Sequence, residues 1–222
     1  MITQNLETIR KQIQQLCAEW HRAPEDVLLL AVSKTKPARD IAEAYRAGQR
    51  HFGENYCQEA LIKQAELGFF DITWHFIGPI QSNKTKLLAR HFSWVHSVDS
   101  LKIARRLSEQ RPNGLPPLNI CLQVNISEEA SKSGIGLDDL PELSQQVTAL
   151  PNLVLRGVMA IPSPETDFIR QRRPFQKLHQ AVKLLEIPDL DTFSFGMSGD
   201  LAAAIAEGAT IVRIGSAIFG ER

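Results

Sequence analysis

The chain has 222 residues, and its 25 lysines and arginines balance 25 aspartates and glutamates, so no global field steers it to nucleic acid or acidic lipid and a small-molecule partner is favoured. Cys17, Cys57 and Cys121 are odd in number, far apart and outside CxxC spacing, which suggests neither a disulfide framework nor a zinc site and fits a reducing compartment. The amino terminus is amphipathic rather than apolar and no run approaches the roughly 18 residues of a membrane span, so the expectation is a soluble, cytoplasmic protein without a membrane or nucleic-acid partner.

Apolar periodicity predicts a first helix over 4–21, with Leu6, Ile9, Ile13, Leu16 and Trp20 on one face, broken at Pro24. A strand follows over 27–33, where LLLAVSKTKP drives an apolar run into Ser33, Lys34 and Lys36 before Pro37 stops it. A helix over 38–47 ends at Gly48, then come a strand over 51–53 and a helix over 57–66. The alternation continues with strands over 73–77 and 94–97, each followed by a helix, over 84–91 and 101–110. RPNGLPP marks a loop at 111–117, ahead of a strand over 118–126 and a helix over 140–149. A strand over 153–161 and a long helix over 168–185 follow. The last elements are a strand over 192–195, a helix over 200–207 closed by Gly208, and a strand over 210–214.

Eight strands separated by helices predict a parallel (β/α)8 TIM-type barrel, an α/β fold, with an extra leading helix and almost nothing after the eighth strand. The leading helix would cover the place of a terminal eighth helix. No composition shift divides the chain, so one domain over 1–222 is expected.

In such a barrel the carboxyl ends of the strands form the active face. The residues read there are Lys34; Glu54 and Asn55; His75 with Gly78; Ser97 and Asp99; Asn125 and Ser127; Met159; Ser198; and Arg213 with Gly215 and Ser216. In FGMSGDLAAAI, Ser198 and Gly199 stand where a strand turns into a helix, with Ser198 read as the N-cap, and Asp200 competes there for the helix dipole. VRIGSAIFG supplies a second glycine turn at Gly215–Ser216. Loops after strands seven and eight recurrently bind phosphate, glycine allowing close backbone approach and serine donating. Each residue alone has an ordinary reading: a solvated strand-end lysine, a helix cap, an arginine in a surface ion pair, a core histidine or methionine, an Asx turn at Asn125. Their joint location carries the functional reading. A lysine across the rim from a phosphate site suggests Schiff-base chemistry, on a phosphorylated sugar aldehyde or on pyridoxal phosphate.

AVSKTKP, FGENYCQEA, WHFIGPIQSNK, NISEEASKSG, GVMAIP and FGMSGDLAAAIAEGATIVRIGSAIFG together resemble the pyridoxal-phosphate homeostasis protein family (the YggS/PROSC-type proteins) over nearly the whole chain. The resemblance implies a single-domain barrel like the barrel part of alanine racemases, a fold-type III architecture, and chooses pyridoxal 5'-phosphate over the sugar aldehyde. It implies that Lys34 forms the Schiff base, that Ser198, Gly199, Gly215 and Ser216 hold the phosphate, and that Arg213 lies against the pyridine nitrogen. Asn55, His75 and Met159 would line the ring, and Lys132 of SKSG matches a second family lysine with a role in transfer or secondary binding. The implied function is non-enzymatic: a monomer that holds the cofactor and delivers it transiently to apo-enzymes, indirectly influencing amino-acid and keto-acid pools. A racemase-like enzyme is the alternative, and Tyr56, beside Asn55, is the residue to test for residual catalysis. No second domain follows the eighth strand in this sequence, so the expected site is open on one side.

Overall fold

The computed structural model describes residues 1–127, 129, 133–188 and 190–221. Eight parallel strands close into one barrel in chain order: β1 Leu28–Val32, β2 His51–Glu54, β3 Thr73–Phe76, β4 Trp94–Val98, β5 Leu118–Val124, β6 Leu153–Ala160, β7 Thr192–Ser194 and β8 Ile211–Ile214. β1 pairs with β2 on one side and β8 on the other, which closes the sheet and leaves no edge to protect.

Around it lie α2 Ala38–Arg46, α3 Cys57–Glu66, α4 Thr85–His91, α5 Leu101–Gln110, α6 Leu140–Thr148, α7 Phe168–Lys183 and α8 Leu201–Ala206. The leading helix, α1 Ile2–Glu19, packs against α2 and α8 and against a short terminal helix, α9 Ser216–Phe219. It thus fills the gap where an eighth ring helix would stand. Asn5 donates its side-chain amide to the Ile218 carbonyl at 2.9 Å, and Arg22 reaches the Ile205 carbonyl at 3.0 Å.

Strand residues that face the helices are apolar and buried, and aromatic pairs fill the space behind them. Phe52 meets Trp74, Phe76 meets Phe92 edge-on, and Phe175 stacks on Phe195 with ring centroids 4.5 Å apart. The buried face of α1 is Ile2, Leu6, Ile9, Ile13 and Cys17. Leu16 and Trp20 are only half-buried, and the stripe runs from Ile13 to Cys17, four residues on, one residue after the expected Leu16.

Three local expectations change. The expected helix over 200–207 begins at Leu201, with Asp200 in the capping position instead of Ser198. The Asp200 carboxylate turns back to accept the Met197 N–H at 2.6 Å, which removes its competition for the helix end. After β8 the chain makes one more helical turn, α9, with Gly215 in the capping position.

Candidate functional site

The turn after β1 is held by a buried polar cluster. Lys34 is half-buried, and Thr35 behind it has φ 63°, a left-handed conformation that costs a β-branched residue energy. Neighbouring groups pin that conformation. Glu59 Oε1 accepts the Thr35 N–H at 2.6 Å, and Ser33 Oγ donates to Glu54 Oε1 at 2.6 Å. Lys63, from α3, donates to the Ser33 carbonyl at 2.8 Å, to Glu54 Oε1 at 2.8 Å and to Glu59 Oε1 at 2.5 Å. Both Glu54 and Lys63 are buried. Burial pushes the Glu54 carboxyl above its ordinary range, opposed by the bonds from Lys63 and Ser33. Lys36 is committed elsewhere: its ammonium donates to the Gly220 and Glu221 carbonyls at 2.9 and 3.0 Å. Of the two lysines of SKTKP, Lys36 is therefore the one whose ammonium fastens the segment after α9 to the rim.

The turn after β8 stands beside this one. A Cβ at Gly215 would lie 3.1 Å from the carbonyl oxygen of Val32, the last residue of β1, so glycine lets the 215–216 turn pack against the strand that delivers Lys34. Ser216 is exposed at the start of α9, and Ser198 and Gly199 are exposed in the loop after β7. A Cβ at Gly199 would meet nothing within 4 Å. Two hydroxyls and the backbone of two glycine turns are thus available on the face where the strands end.

Asn55 follows β2 next to this turn, since β1 and β2 pair Val32 with Gly53 and the Ser33 N–H bonds the Gly53 carbonyl at 3.0 Å. Its Oδ1 is buried and has no hydrogen-bond partner among the described residues, which leaves an acceptor for an incoming donor. Asn55 also lines a cavity of about 220 Å³ with Tyr56, Gln81 and Lys84. Gly78 passes so close that a Cβ there would sit 2.2 Å from the Asn55 carbonyl oxygen, and Ser97 Oγ donates to the Gly78 carbonyl at 2.5 Å.

Arg213 lies inside the barrel, buried, and belongs neither to a surface ion pair nor to an outward face. Its guanidinium donates to the Ser194 carbonyl and hydroxyl and to the Ala160 carbonyl, so three of its five N–H groups are used by the barrel wall. Burial pulls its pKa down to about 10, partly offset by Asp200 and Cys121, and it remains cationic at neutral pH. Met159 is fully buried and in register with Ser194.

His75 sits deeper than a rim residue. It is fully buried, and its two ring nitrogens are taken by His51 and His96, each at 2.9 Å. It reaches Arg213 only through His96 and Ser194, and does not line the rim. Asn125 and Ser127 serve the loop after β5: Asn125 donates to the Glu129 carbonyl at 2.8 Å, and Ser127 Oγ accepts the Ser163 N–H at 2.9 Å. Lys132 lies outside the described residues. Of the two tyrosines, Tyr45 is packed on Phe70 with Arg50 over its ring, whereas Tyr56 is half-exposed at the start of α3.

Lys63 and Glu59 are absent from the sequence reading. The signal was present: Lys63 falls on the apolar stripe of α3, three residues after Ala60 and four before Leu67, where an ordinary solvated lysine does not belong.

Residues 4–222 match the family model of the alanine racemase N-terminal domain. The pyridoxal phosphate homeostasis protein of Pseudomonas aeruginosa is 59% identical over 221 residues, covering all of this chain and 96% of that protein. The protein of the same name from Escherichia coli is 54% identical over 226 residues, covering all of this chain and 97% of its own length. Among solved structures, PipY of Synechococcus elongatus with pyridoxal phosphate (PLP) bound superposes with a TM-score of 0.87 at 38% identity, covering 99% of this chain and all of that one. The alanine racemase of Corynebacterium glutamicum shares the fold, with a TM-score of 0.72 at 14% identity over all of this chain and 60% of its own.

Proposed function

We propose, starting from the fact that this chain belongs to the pyridoxal phosphate homeostasis protein family, that it binds pyridoxal 5'-phosphate on Lys34 and holds the cofactor for exchange rather than using it for turnover. The observation that carries the reading is the Lys34 turn: a strained turn, braced by buried Lys63, that abuts the Gly215–Ser216 turn at the carboxyl end of the barrel. The groups present fit the cofactor. A primary amine matches an aldehyde, two serine hydroxyls and glycine-turn backbone match a phosphate, and the buried, partnerless Asn55 Oδ1 matches a donor. Bound pyridoxal phosphate supplies an aldehyde that condenses with amines and a ring that withdraws electrons from what is attached to it.

The residue roles follow. Lys34 is the covalent anchor; Ser198, Gly199, Gly215 and Ser216 hold the phosphate; Asn55 and Met159 flank the ring. Arg213 would meet the ring nitrogen with the N–H groups that its bonds to Ser194 and Ala160 do not use. An arginine donates and does not take a proton, so in that place it would favour an unprotonated ring nitrogen and a weak electron sink. Tyr56 is the only tyrosine at the rim, so a second proton-transfer group opposite Lys34 has no other tyrosine candidate. These features support reversible holding by one barrel domain over 1–222; we extend this to a cytoplasmic monomer that delivers the cofactor to apo-enzymes.

The test is an absorbance spectrum with and without borohydride, followed by peptide mapping of the trapped adduct. Lys34→Ala is expected to lose both the visible band and the adduct. An adduct persisting on another lysine overturns the anchor. Steady racemisation or decarboxylation of amino acids by the loaded protein, removed by Lys34→Ala, overturns the non-enzymatic role.

A further inference from the structure

Across the barrel interior, five side chains from five strands form one hydrogen-bonded line. His51 Nδ1 and His75 Nε2 are 2.9 Å apart, and His75 Nδ1 and His96 Nε2 are 2.9 Å apart. His96 Nδ1 lies 2.7 Å from Ser194 Oγ, which also accepts from Arg213 Nη1 at 3.0 Å. The far end is not sealed: His51 lines a cavity of about 400 Å³ on the amino-terminal side of the barrel, shared with Arg10, Glu25 and Arg50. Trp94 stacks on His75 at 13° and a centroid distance of 5.4 Å, which fixes the plane of the central ring. Such a row is unexpected in a barrel core, which ordinarily fills with branched aliphatic side chains.

We propose that this row is a one-way hydrogen-bond relay that positions Arg213, with Arg213 setting the tautomer of all three histidines. An arginine only donates. Ser194 Oγ accepts from Arg213, so its own hydrogen is available for His96 Nδ1. His96 then carries its proton on Nε2 and gives it to His75 Nδ1. His75 in turn carries Nε2–H and gives it to His51 Nδ1, which leaves His51 protonated on Nε2, at the far end of the row. The reverse order would strand the buried Ser194 hydroxyl hydrogen without an acceptor in this row and aim N–H dipoles at the guanidinium. In the forward order every imidazole presents its lone pair toward the cation, so the row stabilises a buried charge that has no carboxylate ion-pair partner among the described residues. Burial, helped by the neighbouring imidazoles at His75 and by the Arg213 cation at His96, holds both rings neutral, as a single proton per ring requires.

The inference rests on the proposed cofactor site only for its consequence: a guanidinium fixed in place is what faces the ring nitrogen. The relay can be read without cofactor, by long-range ¹⁵N–¹H correlation of the histidine side chains in the apo-protein at neutral pH. His51, His75 and His96 are expected as neutral Nε2–H tautomers. In Arg213→Met the polarity is no longer set, and His96 and His75 should show mixed tautomers. Nδ1–H at His75 or His96 in the natural protein, or an unchanged single polarity in Arg213→Met, overturns the relay. The consequence for the site is read with two variants. In His96→Asn the amide oxygen replaces Nδ1 and still accepts from Ser194, so affinity for pyridoxal phosphate should stay within about twofold. His96→Leu removes the acceptor and should weaken binding about tenfold and shift the visible band. Equal affinity and an identical band in both variants overturn the positioning role. If the natural protein binds no cofactor, the site reading fails while the tautomer result stands by itself.

Discussion

Lys63 is the residue on which the geometry of Lys34 most depends. One ammonium satisfies a backbone carbonyl and two carboxylates, and one of those carboxylates holds the N–H of the strained Thr35. Removing it leaves Glu54 buried and unpaired, which in comparable sites costs about 3–5 kcal/mol. Lys63→Met should therefore lower the unfolding free energy by that much, read as a lower urea midpoint, and also reduce the borohydride-trapped adduct on Lys34, since the turn loses its brace. Glu54→Gln keeps an oxygen for the Ser33 hydroxyl and for the ammonium, so its cost should be smaller. A Lys63→Met protein with an unchanged midpoint would show that the cluster does not hold the turn.

At the scale of elements, α1 does for this barrel what an eighth ring helix does elsewhere. Leu6, fully buried, sits in the middle of its packed face, and truncating such a leucine typically costs 2–5 kcal/mol, here about 3 kcal/mol. Leu6→Ala should lower the unfolding midpoint accordingly while leaving the Lys34 adduct intact. Loss of the adduct in a still-folded Leu6→Ala protein would mean that α1 supports the rim directly. All eight strands and the helices α1 to α8 can be placed from apolar periodicity, because each buries one face against a neighbour and so carries a period. The ends of α8 and the whole of α9 cannot. α8 starts at Leu201 because the Asp200 carboxylate bonds backwards to Met197, and α9 is one turn whose existence depends on packing against α1.

At the scale of the whole molecule, the rim is readable from the sequence, since strand ends gather polar residues in known places, and the Lys34, Gly215 and Asn55 neighbourhood follows from strand order. The interior row is not. His51, His75, His96, Ser194 and Arg213 are single residues on five strands, and only the barrel's closure brings them together. That row makes stability depend on pH, with a definite sign. His51, His75 and His96 all have pKa values lowered by burial, His96 to about 3. The unfolded chain protonates its histidines near pH ~6.5, and burial makes the native state protonate these three only at lower pH, so the unfolded state binds more protons as pH falls below that value. Stability is fully present above pH ~6.5 and declines below it, by up to ~1.4 kcal/mol per pH unit for each histidine. Glu54, Asp99 and Asp200 act in the opposite direction, because burial raises their folded pKa and lets the native state take protons first, but their ordinary values lie below those of the histidines, His91 among them, so the histidines dominate the upper part of the interval. Urea unfolding at about pH 7 and about pH 5 should show a loss of at least ~2 kcal/mol at the lower pH. His96→Asn, which removes one titrating ring and keeps the bond to Ser194, should flatten the slope by about one proton. A level profile across this interval would mean that the three rings already carry their protons in the folded barrel.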